Sequence, residues 1–114
     1  MSIASDLIRG HTETIILANL LNGDSYGYKI NKAILKKTDG KYELKEATLY
    51  TAFRRLEESG SITSYWGDEN SGARRRYYSI TPEGRAEYDK LKSEWEKTKL
   101  LIDKLLVNGG NIDE

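Results

Sequence analysis

Residues 44–84 read LKEATLYTAFRRLEESGSITSYWGDENSGARRRYYSITPEG, and the periodicity changes twice within them. Leu49, Ala52, Phe53 and Leu56 recur at helical spacing and Gly60 supplies a C-terminal stop, which predicts a helix. The stretches 62–66 (ITSYW) and 74–80 (RRRYYSI) are rich in β-formers instead. The seven residues between them, GDENSGA, are turn chemistry throughout, so a hairpin with a long tip is expected. Thr81, Pro82 and Glu83 then open another helix: threonine caps it, proline fits its first position, and the carboxylate favours the positive end of the helix dipole.

On the N-terminal side, Gly10 and the Gly23–Asp24 pair bracket Ile15, Ile16, Leu17, Leu20 and Leu21, dense enough for a short buried helix. Ser25 is expected to cap the next helix, where Tyr26, Ile30, Ala33 and Ile34 form one face and Lys29, Lys32, Lys36 and Lys37 the other. TDGK at 38–41 is a turn signal, and Asn108-Gly109-Gly110 ends the last helix after about Val107. The order is α-α-α-β-β-α. It defines an α+β, mostly α chain: a winged helix-turn-helix over 1–81, a C-terminal dimerisation helix over 82–107 and a flexible tail over 108–114.

A chain of 114 residues fits one domain, and 18 basic against 18 acidic residues leave no global field to attract nucleic acid. Any such binding must come from local patches. The absence of cysteine removes disulfide scaffolds, thiol catalysis and thiolate metal sites. No apolar run approaches the roughly 18 residues of a membrane span, and residues 1–10 lack the pattern of a signal peptide. A soluble cytoplasmic protein without metal or cofactor is expected. Enzymatic chemistry has little to stand on, because the single histidine, His11, has no nucleophile motif, phosphate loop or metal spacing around it.

Along the second strand, Arg74, Arg76, Tyr78 and Ile80 share one side and Arg75, Tyr77 and Ser79 the other. Tyr78 and Ile80 are placed to pack inward, while the arginines fall at the tip end. Their planar, always charged forks suit phosphates or a minor groove; the alternative is pairing with Asp68 and Glu69 across the same hairpin. On the third helix, the apolar face leaves Ala47, Tyr50, Thr51 and Arg54 pointing away, with Thr48 and Arg55 at the flank. These are small residues for close approach, hydroxyls for base edges or phosphates, and arginine for guanine or the backbone. The bland alternative is an ordinary solvated face, as at Glu57 and Glu58. Lys29, Lys32, Lys36, Lys37, Lys41 and Lys45 against Asp39 and Glu43 leave a basic surplus of four between residues 29 and 45.

Tyr88, Leu91, Trp95, Thr98, Ile102 and Leu105 are spaced 3, 4, 3, 4, 3, a heptad seam that asks for a helical partner. At helical rise it runs roughly 25 Å, more than so small a domain can cover. A homodimer is expected, which also sets two recognition helices one turn of DNA apart.

The segments IRGHTETIILANLL, DSYGYKI, KEATLYTAFRRLEESGSI and GARRRYYSITPEGR, in that order and spacing, resemble the PadR family of bacterial transcriptional regulators from about Leu7 to Val107. The SYWGDE wing start and the single tryptophan-bearing last helix resemble most its multidrug-sensing LmrR type. The resemblance implies a homodimeric winged-helix repressor, bound to double-stranded DNA at a pseudo-palindromic operator, with its third helix in the major groove and its wing alongside. It implies DNA contacts for Tyr50, Arg54, Arg55 and Arg74 to Arg76, and a site for a planar aromatic molecule around Trp95, lined by Leu7, His11, Thr14, Leu91 and Lys99. Lys99 matches an acidic position of that type, which changes the expected charge preference. Two further departures are Ser61, where the family has an apolar residue, and Lys45, where a capping side chain is common; they predict a looser core edge and a weaker cap. A function of another class fits the same order of elements: a winged-helix module whose arginines bind an acidic protein partner without reading DNA.

Overall fold

The computed structural model describes residues 3–67 and 74–108, with side chains from Asp6 onward. The elements are α1 (Ile3–Ile8), a single 3-10 turn (Arg9–His11), α2 (Thr12–Leu20), α3 (Gly27–Lys37), α4 (Glu46–Glu58), β1 (Ile62–Trp66), β2 (Arg76–Ile80) and α5 (Pro82–Leu106). This is the winged-helix order expected from the sequence, preceded by the short α1, whose six residues are too few to show a helical period. Among the described residues no helix is long and apolar enough to cross a membrane.

The core gathers one face each from α2, α3, α4 and the hairpin. Ile16, Leu17 and Leu20 of α2 meet Ile30 and Ile34 of α3, Leu49, Phe53 and Leu56 of α4, and Ile62 and Tyr78 of the hairpin, all buried. Tyr78 lies flat on Phe53, ring centroids 3.8 Å apart, so the hairpin is seated directly on α4. The strands pair antiparallel, with Ile62 opposite Ile80, Ser64 opposite Tyr78 and Trp66 opposite Arg76. The tip expected over 67–73 is described only at Gly67, whose N–H donates to the Arg75 carbonyl. The Asp68 and Glu69 pairing and the tail over 109–114 lie outside the described residues.

Ser25 does not cap α3. Tyr26 holds the N-cap position without a side-chain bond, and the Ser25 backbone pairs with Tyr78 instead, donating to its carbonyl at 3.1 Å and accepting its N–H at 2.8 Å. A one-residue bridge to the wing took the place of the local turn, and Ser25 is buried by it. The unassisted N-cap at Lys45 matches the expected weak cap of α4.

At Ser61 the core edge is closed rather than loose. Its hydroxyl lies 3.0 Å from that of Ser59, its carbonyl accepts the Thr81 N–H at 3.0 Å, and it is buried. Directly beyond it, Thr81 caps α5 by accepting the Gly84 N–H at 2.9 Å. Gly84 lies so close that a Cβ there would collide with the Ser61 carbonyl oxygen. Arg85 reaches back to the Leu21 carbonyl at 3.0 Å, which ties the start of α5 to the end of α2.

Candidate nucleic-acid interface

Helix α4 owes its placement to two contacts with α3. A Cβ on Gly27 would stand 3.0 Å from the Tyr50 hydroxyl and 3.1 Å from Leu49 Cδ2, so glycine is what allows the two helices to approach. Asn31 then holds the backbone of Leu44 by both of its groups: its amide donates to the carbonyl at 2.7 Å and its oxygen accepts the N–H at 2.8 Å. The segment entering α4 is thereby fixed at both polar groups of one residue. The sequence reading missed Asn31; its signal is an amide set beside Ile30 and Ile34 on the inward stripe of α3.

With Leu49, Ala52, Phe53 and Leu56 buried, α4 exposes Ala47, Tyr50, Arg54 and Arg55 and half-buries Thr48 and Thr51. The expected outward set divides by flank. Ala47, Thr48, Thr51 and Arg55 line a cleft of about 530 Å³ shared with Arg9, Thr12, Glu13 and Thr14 beside α2 and with Leu91 of α5. Tyr50 lies on the opposite flank, its ring edge-on to Phe53 at 5.6 Å, with 44% of its surface exposed. Arg54 projects between the two flanks into solvent.

The three wing arginines are exposed, as expected from their place at the strand end, and the faces alternate as predicted. Arg74 and Arg76 lie over Trp66 at 5.3 and 5.6 Å, whereas Arg75 lies over Tyr26 on the other face at 4.8 Å. Arg76 also donates to Ser64 at 2.8 Å and pairs with Glu57 of α4 at 3.5 Å. On the far face, Tyr65 stacks on Tyr77 at 5.6 Å and Tyr77 meets Tyr26 edge-on at 5.3 Å. Tyr65 donates to Asp24 at 2.6 Å, and this bond holds its phenol above the usual range. Burial raises the phenol of Tyr78. The wing is thus strapped to the loop before α3, a consequence of aromatic placement that strand alternation alone does not reveal.

The last helix has two regimes. Tyr88 and Leu91 pack against the core of their own chain. Beyond them, Trp95 keeps 40% of its surface exposed and meets His11 edge-on at 4.8 Å. Leu100, Leu101, Ile102, Leu105, Leu106 and Val107 are exposed, as are Thr98 and Lys99. Of the expected ligand-site residues, His11 and Trp95 touch, Thr14 and Leu91 line the cleft beside α4, and Leu7 is exposed on α1.

These elements define a winged helix-turn-helix with an appended helix. Residues 16–90 match the model of the transcriptional regulator PadR-like family. A transcriptional regulator from Clostridium thermocellum is 55% identical over 91% of this chain and all of that one, with a TM-score of 0.83. A PadR family transcription regulator from Clostridium difficile is 35% identical over 84% of this chain and 98% of that one, at a TM-score of 0.71. An uncharacterised protein of Lysinibacillus sphaericus is 45% identical over 89% of this chain and 93% of its own length. The chain belongs to the PadR-like family of DNA-binding transcriptional regulators.

Proposed function

We propose that the protein is a homodimeric repressor that binds a pseudo-palindromic operator, with α4 in the major groove and the wing arginines on the flanking backbone. The observation that carries this reading is the exposed strip of Ala47, Tyr50 and Arg54 on a helix whose opposite face is wholly core. Arg54 is placed to read base edges, and Arg74, Arg75 and Arg76 supply backbone contacts. Thr48, Thr51 and Arg55 border the same strip from the cleft side. Residues 1–81 form the DNA-binding unit and 82–107 the dimerisation helix, in which Trp95, Thr98, Ile102 and Leu105 continue the seam that Tyr88 and Leu91 begin. The exposed apolar end of α5 favours a second copy, since a patch of this kind on a soluble protein marks an interface.

The dimer interface is also the proposed sensor, as in the multidrug-sensing type. A planar aromatic molecule stacks at Trp95, bordered by His11, Leu7, Thr14, Leu91 and Lys99, with affinity dominated by stacking and apolar burial. Selection of duplexes from a random-sequence pool, followed by band shift with and without planar dyes, tests both parts. A palindromic consensus, released or tightened by dye in the parent but not in Trp95→Ala, is the expected outcome. Failure to enrich any sequence favours the protein-binding alternative.

A further inference from the structure

Trp66 is a large apolar side chain with 52% of its surface exposed, on a strand whose core contribution ends at Ile62 and Ser64. It lies opposite Arg76 in the ladder. Alternation puts Arg74 on the same face, and both guanidiniums rest on the one indole, at 5.3 and 5.6 Å. We propose that Trp66 is a positioning residue: its ring holds Arg74 and Arg76 in place for the DNA backbone.

The ring acts on the rotamer freedom of the two arginines and leaves their donors available. An arginine has among the largest side-chain entropies, and a phosphate contact must freeze it. A guanidinium already against an aromatic face has given up much of that freedom before DNA arrives. It keeps N–H donors at its edge, because the attraction to the ring uses the π-face rather than a hydrogen bond. Two neighbouring cations also repel each other, and the ring gives both a shared attractive surface. Arg76 has a second anchor in Ser64 and Glu57, so it is the more fixed of the two, and the loss of Trp66 falls hardest on Arg74.

This inference rests on the wing reading above, and the test separates the two. Affinity of the full chain for a labelled duplex of random sequence is measured at low salt by fluorescence anisotropy. The variants are Trp66→Leu, Trp66→Phe, the double Arg74→Ala/Arg76→Ala, and the double combined with Trp66→Leu. Trp66→Leu weakens binding about fivefold, a size set by two exposed cation–π contacts. Trp66→Phe restores most of the loss, and Trp66→Leu has no further effect once both arginines are gone. An effect of equal size in the arginine-free background overturns the positioning role while leaving the wing contact standing. A silent arginine double overturns the wing contact and the proposal with it. In the DNA-free protein, the Arg74 and Arg76 Nε–H resonances are displaced by the indole ring current and return to ordinary positions in Trp66→Leu. Resonances that do not move overturn the proposal without any binding measurement.

Discussion

Gly84→Ala asks how tightly the last helix is seated on the winged-helix unit. A Cβ there falls 2.8 Å from Ile80 Cγ1 and collides with the carbonyl oxygen of Ser61. Ile80 can rotate; the carbonyl cannot, because it accepts the Thr81 N–H at 3.0 Å on the approach to α5. The helix start must therefore lift. Overpacking with backbone movement costs about 1–3 kcal/mol, and the backbone contact argues for the upper half. Alanine returns at most about 1 kcal/mol of helix propensity, less in a first turn. The net loss is about 2 kcal/mol. An unfolding entropy of about 0.24 kcal/mol/K for 114 residues turns this into a fall in Tm of about 8 °C. Gly10→Ala is the internal control, since a Cβ there meets nothing within 4 Å. Both variants are melted at one protomer concentration, because the proposed dimerisation makes Tm depend on concentration by mass action. A Gly84→Ala protein as stable as Gly10→Ala refutes the packing argument. Where it stays folded, its duplex affinity also falls, because a lifted α5 changes how the two copies of α4 are spaced in the proposed dimer.

Arg54→Ala relaxes sequence preference by about 1–3 kcal/mol at one operator position, whereas Arg75→Ala weakens all sequences alike and lowers the salt slope by about one; band shifts over a salt series distinguish them. Arg55→Ala has the smaller effect on DNA of the two α4 arginines, because Arg55 borders a second cleft with Glu13, Glu83 and Glu87. Ile102→Asp with Leu105→Asp gives a folded monomer by light scattering, since both side chains are exposed within the chain; an unchanged dimer removes the seam. Tyr78 ionises at 10.0 when unfolded and higher when folded, because burial disfavours its phenolate. Its contribution is intact below pH 10.0 and is lost as pH rises through the folded value. Urea midpoints of the parent therefore fall more steeply than those of Tyr78→Phe above about pH 10.

Period and punctuation made most of the fold legible. The change from the 3.6-residue stripe of α4 to β-formers at Ile62, and the Thr81-Pro82-Glu83 start, are local signals whose causes are local. Ser25 misled because its hydroxyl suits a cap, and only the returning Tyr78 strand shows that its backbone is needed elsewhere. Gly84 and Asn31 were illegible for the same reason: each answers to a backbone distant in sequence, Ser61 for one and Leu44 for the other. In the site, exposure of Ala47, Tyr50 and Arg54 followed from the helical period, while the partners of the wing arginines did not. Strand alternation says which face a side chain takes; it does not say that Trp66 and Tyr26 wait there.

A formal charge of zero hides how the charges are distributed. All six lysines between Lys29 and Lys45 are exposed, and Arg75 of the wing lies over Tyr26 at the start of α3. Of the carboxylates near α4, Glu57 is occupied with Arg76 and Ser64, and Glu13, Glu83 and Glu87 gather with Arg55 in the cleft between α2, α4 and α5. Part of the acid is thus drawn to the α2 and α5 flank of α4, while Glu43 and Glu46 stay on the other flank beside Lys32 and Tyr50. A cation on a low-dielectric body draws phosphate from within a Debye length, about 8 Å at physiological salt, and charges farther off are screened more. A neutral total is therefore compatible with the proposed DNA contact, because charges within a Debye length outweigh the formal sum.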